Sequence, residues 1–174
     1  MDKQFFTAAI STEIFKIISD ASKQLQLESY VIGGFVRDFL LKRGTAKDID
    51  IVAIGSGIAL AEKVASLLPN KPKVQIFKTY GTAMLRYKDV EIEFVGARKE
   101  SYSEESRNPL IFEGTLQEDQ NRRDFTINAL ALSLNEENFG ALLDPFNGME
   151  DLENGIIKTP LDPDITYSDD PLRM

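Results

Sequence analysis

"KDIDIV", Lys47 to Val52, sets two aspartates two positions apart inside an apolar run, and how that run is read decides the fold. As a strand it sorts its side chains by parity. Asp48 and Asp50 leave one face roughly 6.5 to 7 Å apart, while Ile49 and Ile51 leave the other. One face suits a core; the other carries two like charges that repel. Two readings account for such a face. It can be a solvated strand edge whose charge discourages aggregation. It can also be a clamp for Mg²⁺, a hard ion that takes one or two carboxylates and completes its shell with water and phosphate oxygens.

Composition narrows the chemistry. The chain of 174 residues is long enough for one good core. It has no cysteine, which excludes a disulfide framework, a zinc-thiolate site and a thiol nucleophile. It has no histidine, which excludes an imidazole base and a Ser-His-Asp triad. Carboxylates, Lys, Arg, hydroxyls and an oxygen-bound metal remain. The net charge of −8 argues against a basic nucleic-acid surface spread over the whole chain, but a nucleotide site needs only a few local arginines. No run approaches the roughly 20 apolar residues that span a bilayer. The start "MDKQFFTAAISTEIFK" lacks the unbroken apolar core of a signal peptide. A cytoplasmic protein with no membrane partner is expected.

Outward from the aspartates, periodicity predicts an amphipathic helix over Ser11–Leu27 with Ser11 or Thr12 as cap. A strand "SYVIGG" follows, then a helix "FVRDFLLKRG" closed by Gly44. After the strand "DIDIVAI" comes a helix "SGIALAEKVASLLP" ended by Pro69. Three strands, "KVQIF", "GTAMLRY" and "VEIEFV", come next, the last two joined by the turn "KD". Lys99 to Gln120 is polar and aperiodic and reads as a mobile loop with a brief ordered stretch at "LIF". "NRRDFTINALALSL" predicts a short helix running into a strand. "DPFNGMEDLENGIIKT" predicts a turn, a short helix and a closing strand. "TYSDDPLRM" has the form of a helix start, with Ser168 or Asp169 as cap and Pro171 in the first turn, and it stops after about one turn, as though the element were cut short.

Three further segments bear on the aspartates. In "GGFVRD", Gly33 and Gly34 permit close backbone approach by a ligand, and Arg37 can reach a phosphate. A plain strand-to-helix turn with a surface Arg37–Asp38 pair reads the same way. In "VEIEFVGAR", Glu91 and Glu93 share a face, and Glu93 is the choice for a third carboxylate, as two-metal phosphoryl-transfer sites require. "RRDFTINALA" concentrates Arg122, Arg123, Asp124 and Asn128, residue types that hold phosphates and read a ribose or base edge; a capped helix start with solvated charges is its other reading.

In this order, "GGFVRD…KDIDIV", "RRDFTINALA" and the terminal "DDPLRM" resemble the head of the class II tRNA nucleotidyltransferase and bacterial poly(A) polymerase family, over about Tyr30 to Met174. The resemblance implies an α/β (α+β) nucleotidyltransferase fold: a polymerase-β-like palm, a mixed sheet with helices packed on one side, plus the start of a helical neck. The expected division is an N-terminal helix over 1–28, a head over 29–160 and the neck's start over 161–174. It implies Asp48 and Asp50 as ligands of two Mg²⁺ ions, with Glu93 in the third position. Gly34 and Arg37 match positions that meet the nucleotide's phosphates, with Gly33 and Asp38 beside them in the same nucleotide-binding segment. Arg122, Arg123, Asp124 and Asn128 match the triphosphate- and ribose-binding segment, and Asp170 and Arg173 match positions that complete the pocket. The loop from Lys99 to Gln120 matches a flexible loop that assists nucleotide switching.

The implied substrates are ATP and CTP, and the implied partner is the 3′ end of tRNA. Body and tail domains, and an E-D-x-x-R element that selects the base, are expected beyond the present residues. The implied activity is template-independent addition of CMP and AMP; poly(A) synthesis, A-only addition and a non-catalytic nucleotide sensor of the same fold are the alternatives.

Overall fold

The computed structural model describes residues 3–44, 47–103, 106–169 and Arg173. Two helices open the chain, α1 (Lys3–Ala9) and α2 (Glu13–Leu25). The helix expected over Ser11–Leu27 forms as α2, and α1 precedes it without having been predicted. The two are separated at Ser11, whose backbone N–H and hydroxyl both donate to the Ala8 carbonyl and fold the chain into a tight turn. Thr12 takes the extended cap conformation before α2.

β1 (Glu28–Ile32) leads into α3 (Gly34–Leu40), β2 (Asp48–Ile54) and α4 (Gly57–Leu67). α3 stops short of Gly44 because Lys42 adopts left-handed φ. The Arg43 N–H then reaches the Asp38 carbonyl and the Lys42 N–H the Phe39 carbonyl, which satisfies the helix's last acceptors early. β3 (Gln75–Phe77), β4 (Thr82–Tyr87) and β5 (Val90–Gly96) follow as predicted, with a two-residue turn at Lys88–Asp89 between the last two.

The segment predicted to be a loop folds as an antiparallel hairpin, β6 (Arg98–Ser103) and β7 (Ser106–Glu113), followed by α5 (Leu116–Asn121). Hydrophobic periodicity misses it because the two strands form a sheet of their own, tied by backbone hydrogen bonds rather than by membership in the main sheet. α5 is announced by a capping box: the Glu118 N–H donates to the Thr115 hydroxyl, and the Thr115 N–H donates to the Glu118 carboxylate.

β8 (Ala131–Ser133), β9 (Leu142–Leu143), α6 (Gly148–Asn154) and α7 (Pro163–Asp169) complete the fold. The predicted closing strand "GIIKT" does not form. Ile156 and Ile157 are both exposed; the Ile156 N–H closes α6 on the Asp151 carbonyl, and the Lys158 carbonyl accepts from the Thr126 N–H. The last helix begins at Pro163 rather than at Ser168 or Asp169. An earlier Asp-Pro pair takes the start, with Asp162 accepting from the Asp164 N–H and Pro163 in the first turn.

The main sheet has seven strands in the order β3-β4-β5-β2-β1-β8-β9, and β2 with β5 is its parallel pair. Parity then divides the molecule. Val31, Ile49, Ile51, Ala53, Leu85, Ile92, Phe94 and Leu132 point to one face, where they are buried with Phe6, Ile18, Val36 and Leu60 from the four N-terminal helices. This is the expected mixed sheet, with the four N-terminal helices packed on one side. The opposite face holds a smaller apolar group, Tyr30, Ile32, Val52, Ala97, Leu116 and Ala131, to which α5 contributes Leu116. The rest of that face carries the carboxylates. At the far end of β5 the backbones touch. A Cβ on Gly57 would lie 2.6 Å from the Val95 carbonyl carbon, and one on Gly96 would lie 2.5 Å from the Gly55 oxygen.

Candidate nucleotide and metal site

The carboxylate face follows from strand register. Asp48 lies opposite Glu91 and Asp50 opposite Glu93 across the parallel pair, so all four leave the same face. The intervening Ile49, Ile51, Ile92 and Phe94 are fixed in the core, and a slip of one residue would bury the charges instead. Asp48, Glu91 and Glu93 are exposed, whereas Asp50 is half-buried.

Burial is the main cause that raises Asp50 above its ordinary pKa of 3.8. The Arg123 guanidinium opposes the rise, and the charges of Glu93, Asp48 and Asp119 add to it. A group so placed gains from any cation that joins it. Hard oxygen donors two residues apart on a strand suit Mg²⁺, which needs only one or two carboxylates. Among the described residues no three acidic side chains converge closely enough to hold a metal by themselves. Glu93 therefore stands as the strand neighbour of Asp50, in register with it.

The glycine turn and the arginine segment meet beside Asp50. Gly33 has φ of +81°, and a Cβ there would lie 3.2 Å from Arg123 Nη1 and 3.6 Å from Asp50 Oδ2. Only glycine both adopts that backbone and leaves room for the guanidinium. Its N–H is held by the Leu130 carbonyl, which pins the turn to the end of the arginine segment. Arg37, in α3, donates through Nε to Asp38 at 2.9 Å and through Nη1 to the Asn128 side-chain oxygen at 2.6 Å. Asn128 donates in turn to both oxygens of Asp124, at 3.1 and 3.2 Å. Asp124 also accepts from the Phe125 N–H. Arg37, Asp38, Asp124 and Asn128 thus form one connected chain of polar side chains, brought together from two segments 91 residues apart at the Arg37–Asn128 contact.

Two residues of this site escape a reading of the sequence. Asp119, fully buried in α5, accepts from Arg122 Nε and Nη2 on one oxygen (3.1 and 2.9 Å) and from Arg123 Nε and Nη2 on the other (3.3 and 3.2 Å). It forks both guanidinium groups into place, and Arg123 Nη1 reaches the Asn128 carbonyl besides. Gln120, also buried, donates to the Ala129 and Leu143 carbonyls and ties α5 to the turn before β8 and to β9. The available signal was an acid three and four positions ahead of two arginines, the spacing of helical ion pairs. The structure sets Asp48, Asp50 and Glu93 on one face of the sheet and brings Gly33 and Arg123 beside Asp50. It links Arg37, Asp38, Asn128 and Asp124 next to that turn, with Gly34 at the head of α3, and holds Arg122 with Arg123 on Asp119. Arg173 is half-buried. Asp170 lies outside the described residues.

Two cavities lie elsewhere. One of about 510 Å³ sits between α2 and the turn at Asn135–Asn138, and an apolar one of about 310 Å³ is lined by Ile14, Phe15, Phe35, Phe39 and Ile49. Neither is lined by Asp48, Asp50, Glu91 or Glu93. Among the described residues no helix is long and apolar enough to cross a membrane.

Residues 29–158 match the family described as the poly A polymerase head domain. An A-adding tRNA nucleotidyltransferase from Aquifex aeolicus is 39% identical over 148 residues, which is 85% of this chain and 17% of the relative. A CCA-adding enzyme from a Geobacillus species is 40% identical over 149 residues, 84% of this chain and 34% of the relative. A solved CCA-adding enzyme, apo form II, superposes with a TM-score of 0.80 at 38% identity, covering 91% of this chain and 37% of its own. A tRNA nucleotidyltransferase complexed with a primer tRNA and an incoming ATP analog superposes with a TM-score of 0.75 at 36% identity, covering 90% of this chain and 42% of its own. The chain spans well under half the length of these relatives.

Proposed function

The chain belongs to the poly A polymerase head-domain family, and from that premise we propose that it is the nucleotide-binding head of an enzyme that adds CMP and AMP to the 3′ end of tRNA without a template. The observation that carries this reading is the meeting of Asp48, Asp50 and Glu93 with the Arg123–Asp119 and Arg37–Asn128 pairs around Gly33. The names of the relatives, A-adding and CCA-adding, and the complex of one neighbour with primer tRNA and an ATP analog support it. A cytoplasmic setting follows from a tRNA substrate.

In this reading an RNA 3′-hydroxyl attacks the α-phosphate of ATP or CTP in line and pyrophosphate leaves. Asp48 and Asp50 would hold magnesium, with Glu93 flanking, and the bound metal would supply a lowered pKa at the hydroxyl and charge neutralisation at the triphosphate. Gly33 and Gly34 let the phosphates approach the backbone. Arg37 and Arg123 face the phosphate oxygens in fixed orientations, so little reorganisation is needed as charge shifts during transfer. Arg122 shares the same anchor. Asp124 and Asn128 present an acceptor and an amide to the ribose or base, and Arg173 adds a further positive charge for the nucleotide.

The test is nucleotide addition by the intact enzyme to tRNA lacking its 3′ CCA, with CTP and ATP supplied separately. Asp50→Ala should abolish Mg²⁺-dependent addition, and turnover near the wild-type level would overturn the assignment. The two nucleotides supplied apart also decide between CCA addition and A-only addition.

A further inference from the structure

The chain is acidic overall, yet its charges are segregated. Six of its 20 basic residues and none of its 28 acidic ones fall between Lys63 and Lys88. Lys71, Lys73 and Lys78 are exposed and make no ion pair among the described residues. They flank β3, the outermost strand of the sheet, whose three residues are all exposed. Two aromatic side chains stand among them: Phe77 is 44% exposed and Tyr80 63%. Lysines alone would be ordinary protection for a sheet edge. Exposed rings at the same edge work against that purpose, since they add a sticky apolar surface to it.

Register connects this edge to the carboxylates. Gln75 pairs with Met84, Met84 with Glu93, and Glu93 with Asp50, so one row of the sheet runs from β3 to Asp50. Partners in a row share a face, and Phe77, two residues beyond Gln75, shares it as well. Arg86 stands opposite Glu91 in the neighbouring row, exposed on the same face. Three strand spacings put Gln75 about 14 Å from Asp50. The open face is therefore a track with carboxylates at its centre, Arg86 partway out, and a ring and three free ammonium groups at the rim.

We infer that this rim, Lys71, Lys73, Lys78, Phe77 and Tyr80, is a docking surface for an unpaired stretch of RNA whose backbone the lysines neutralise and whose bases stack on the rings. The identification of the polyanion as RNA rests on the proposed function; the surface is otherwise separate from the nucleotide pocket. Stacking beside a positive groove is how single strands are held without sequence preference.

The test is fluorescence anisotropy of a labelled oligoadenylate RNA with the intact protein at two salt concentrations. Replacing Lys71, Lys73 and Lys78 together by Ala should flatten the log–log salt dependence by about 2, at roughly 0.7 per phosphate contact on a single strand. Phe77→Ala with Tyr80→Ala should weaken binding about tenfold or more at either salt, with less effect on the slope. All these positions are exposed, so Mg²⁺–ATP affinity measured calorimetrically on each variant should stay at the wild-type value. RNA affinity within twofold of wild type in both variants, with the slope unchanged, would overturn the inference while leaving the pocket intact. No RNA binding by the wild type would overturn it too, as would equal competition by polyglutamate, which carries charge but no bases. Absence of Mg²⁺–ATP binding in the wild type would strike the proposed function instead.

Discussion

Removing the carboxylate of Asp119 tests whether the arginine clamp is built as the structure shows. This group is wholly inaccessible to solvent, and its two oxygens receive four hydrogen bonds from Arg122 and Arg123, whose side chains are 26% and 18% exposed. Deleting one partner of such a pair strands the other charge with little water to solvate it, a cost of about 3 to 5 kcal/mol. For a chain of this size each kcal/mol moves the melting temperature by about 2 to 4 °C, so Asp119→Ala should melt about 6 to 20 °C lower. Urea unfolding followed by circular dichroism gives the free energy. A double-mutant cycle with Arg123→Ala should show a coupling above about 1 kcal/mol, because the second substitution removes a charge the first has stranded. Function should follow: the KM for ATP should rise more in Asp119→Ala than in a variant of equal stability elsewhere in the core. A loss below about 1 kcal/mol with additive behaviour in the cycle would refute the clamp.

Other outcomes follow from the same geometry. Asp50 binds its proton more tightly in the folded than in the unfolded chain, so its contribution to stability is greatest below about pH 4 and is lost as pH rises through the raised folded value. Asp50→Asn should therefore be more stable than wild type at neutral pH, with the difference shrinking towards pH 4 in paired thermal melts; a constant difference would contradict this. Gly33→Ala should cost about 1 to 3 kcal/mol through its positive φ, and it should displace Arg123, seen as a raised KM for ATP. Thr115→Ala removes half of the capping box of α5 and should cost about 1 kcal/mol in urea unfolding without touching the carboxylates.

Much of the site is legible in the sequence because strand parity is a local rule. Asp48 and Asp50 announce their face through Ile49 and Ile51, and Glu93 does the same through Ile92 and Phe94, so the meeting of β2 with β5 adds only the pairing. Asp119 stays hidden for the opposite reason: its role is set by burial, and it lies at the end of a polar segment that carries no apolar period. The β6–β7 hairpin is missed on the same grounds, since nothing in its pattern distinguishes paired backbone from solvated loop. The helix at Pro163 shows a competition between equivalent signals. Asp162–Pro163 and Asp170–Pro171 offer the same start, and the sequence alone does not rank them.

The three glycines at the far end of β5 matter for the other end. With Gly55, Gly57 and Gly96 in contact closer than any Cβ would allow, α4 seats directly on the backbone of the parallel pair. Glu93 lies three residues from that seat, about 10 Å along the strand. The pair is thus closed at one end to within the width of a methyl group and open at the other to water and ligand. The tolerance of the carboxylate face is machined at a distance from it. A methyl added at Gly57 or Gly96 would blunt the chemistry without touching a charged residue.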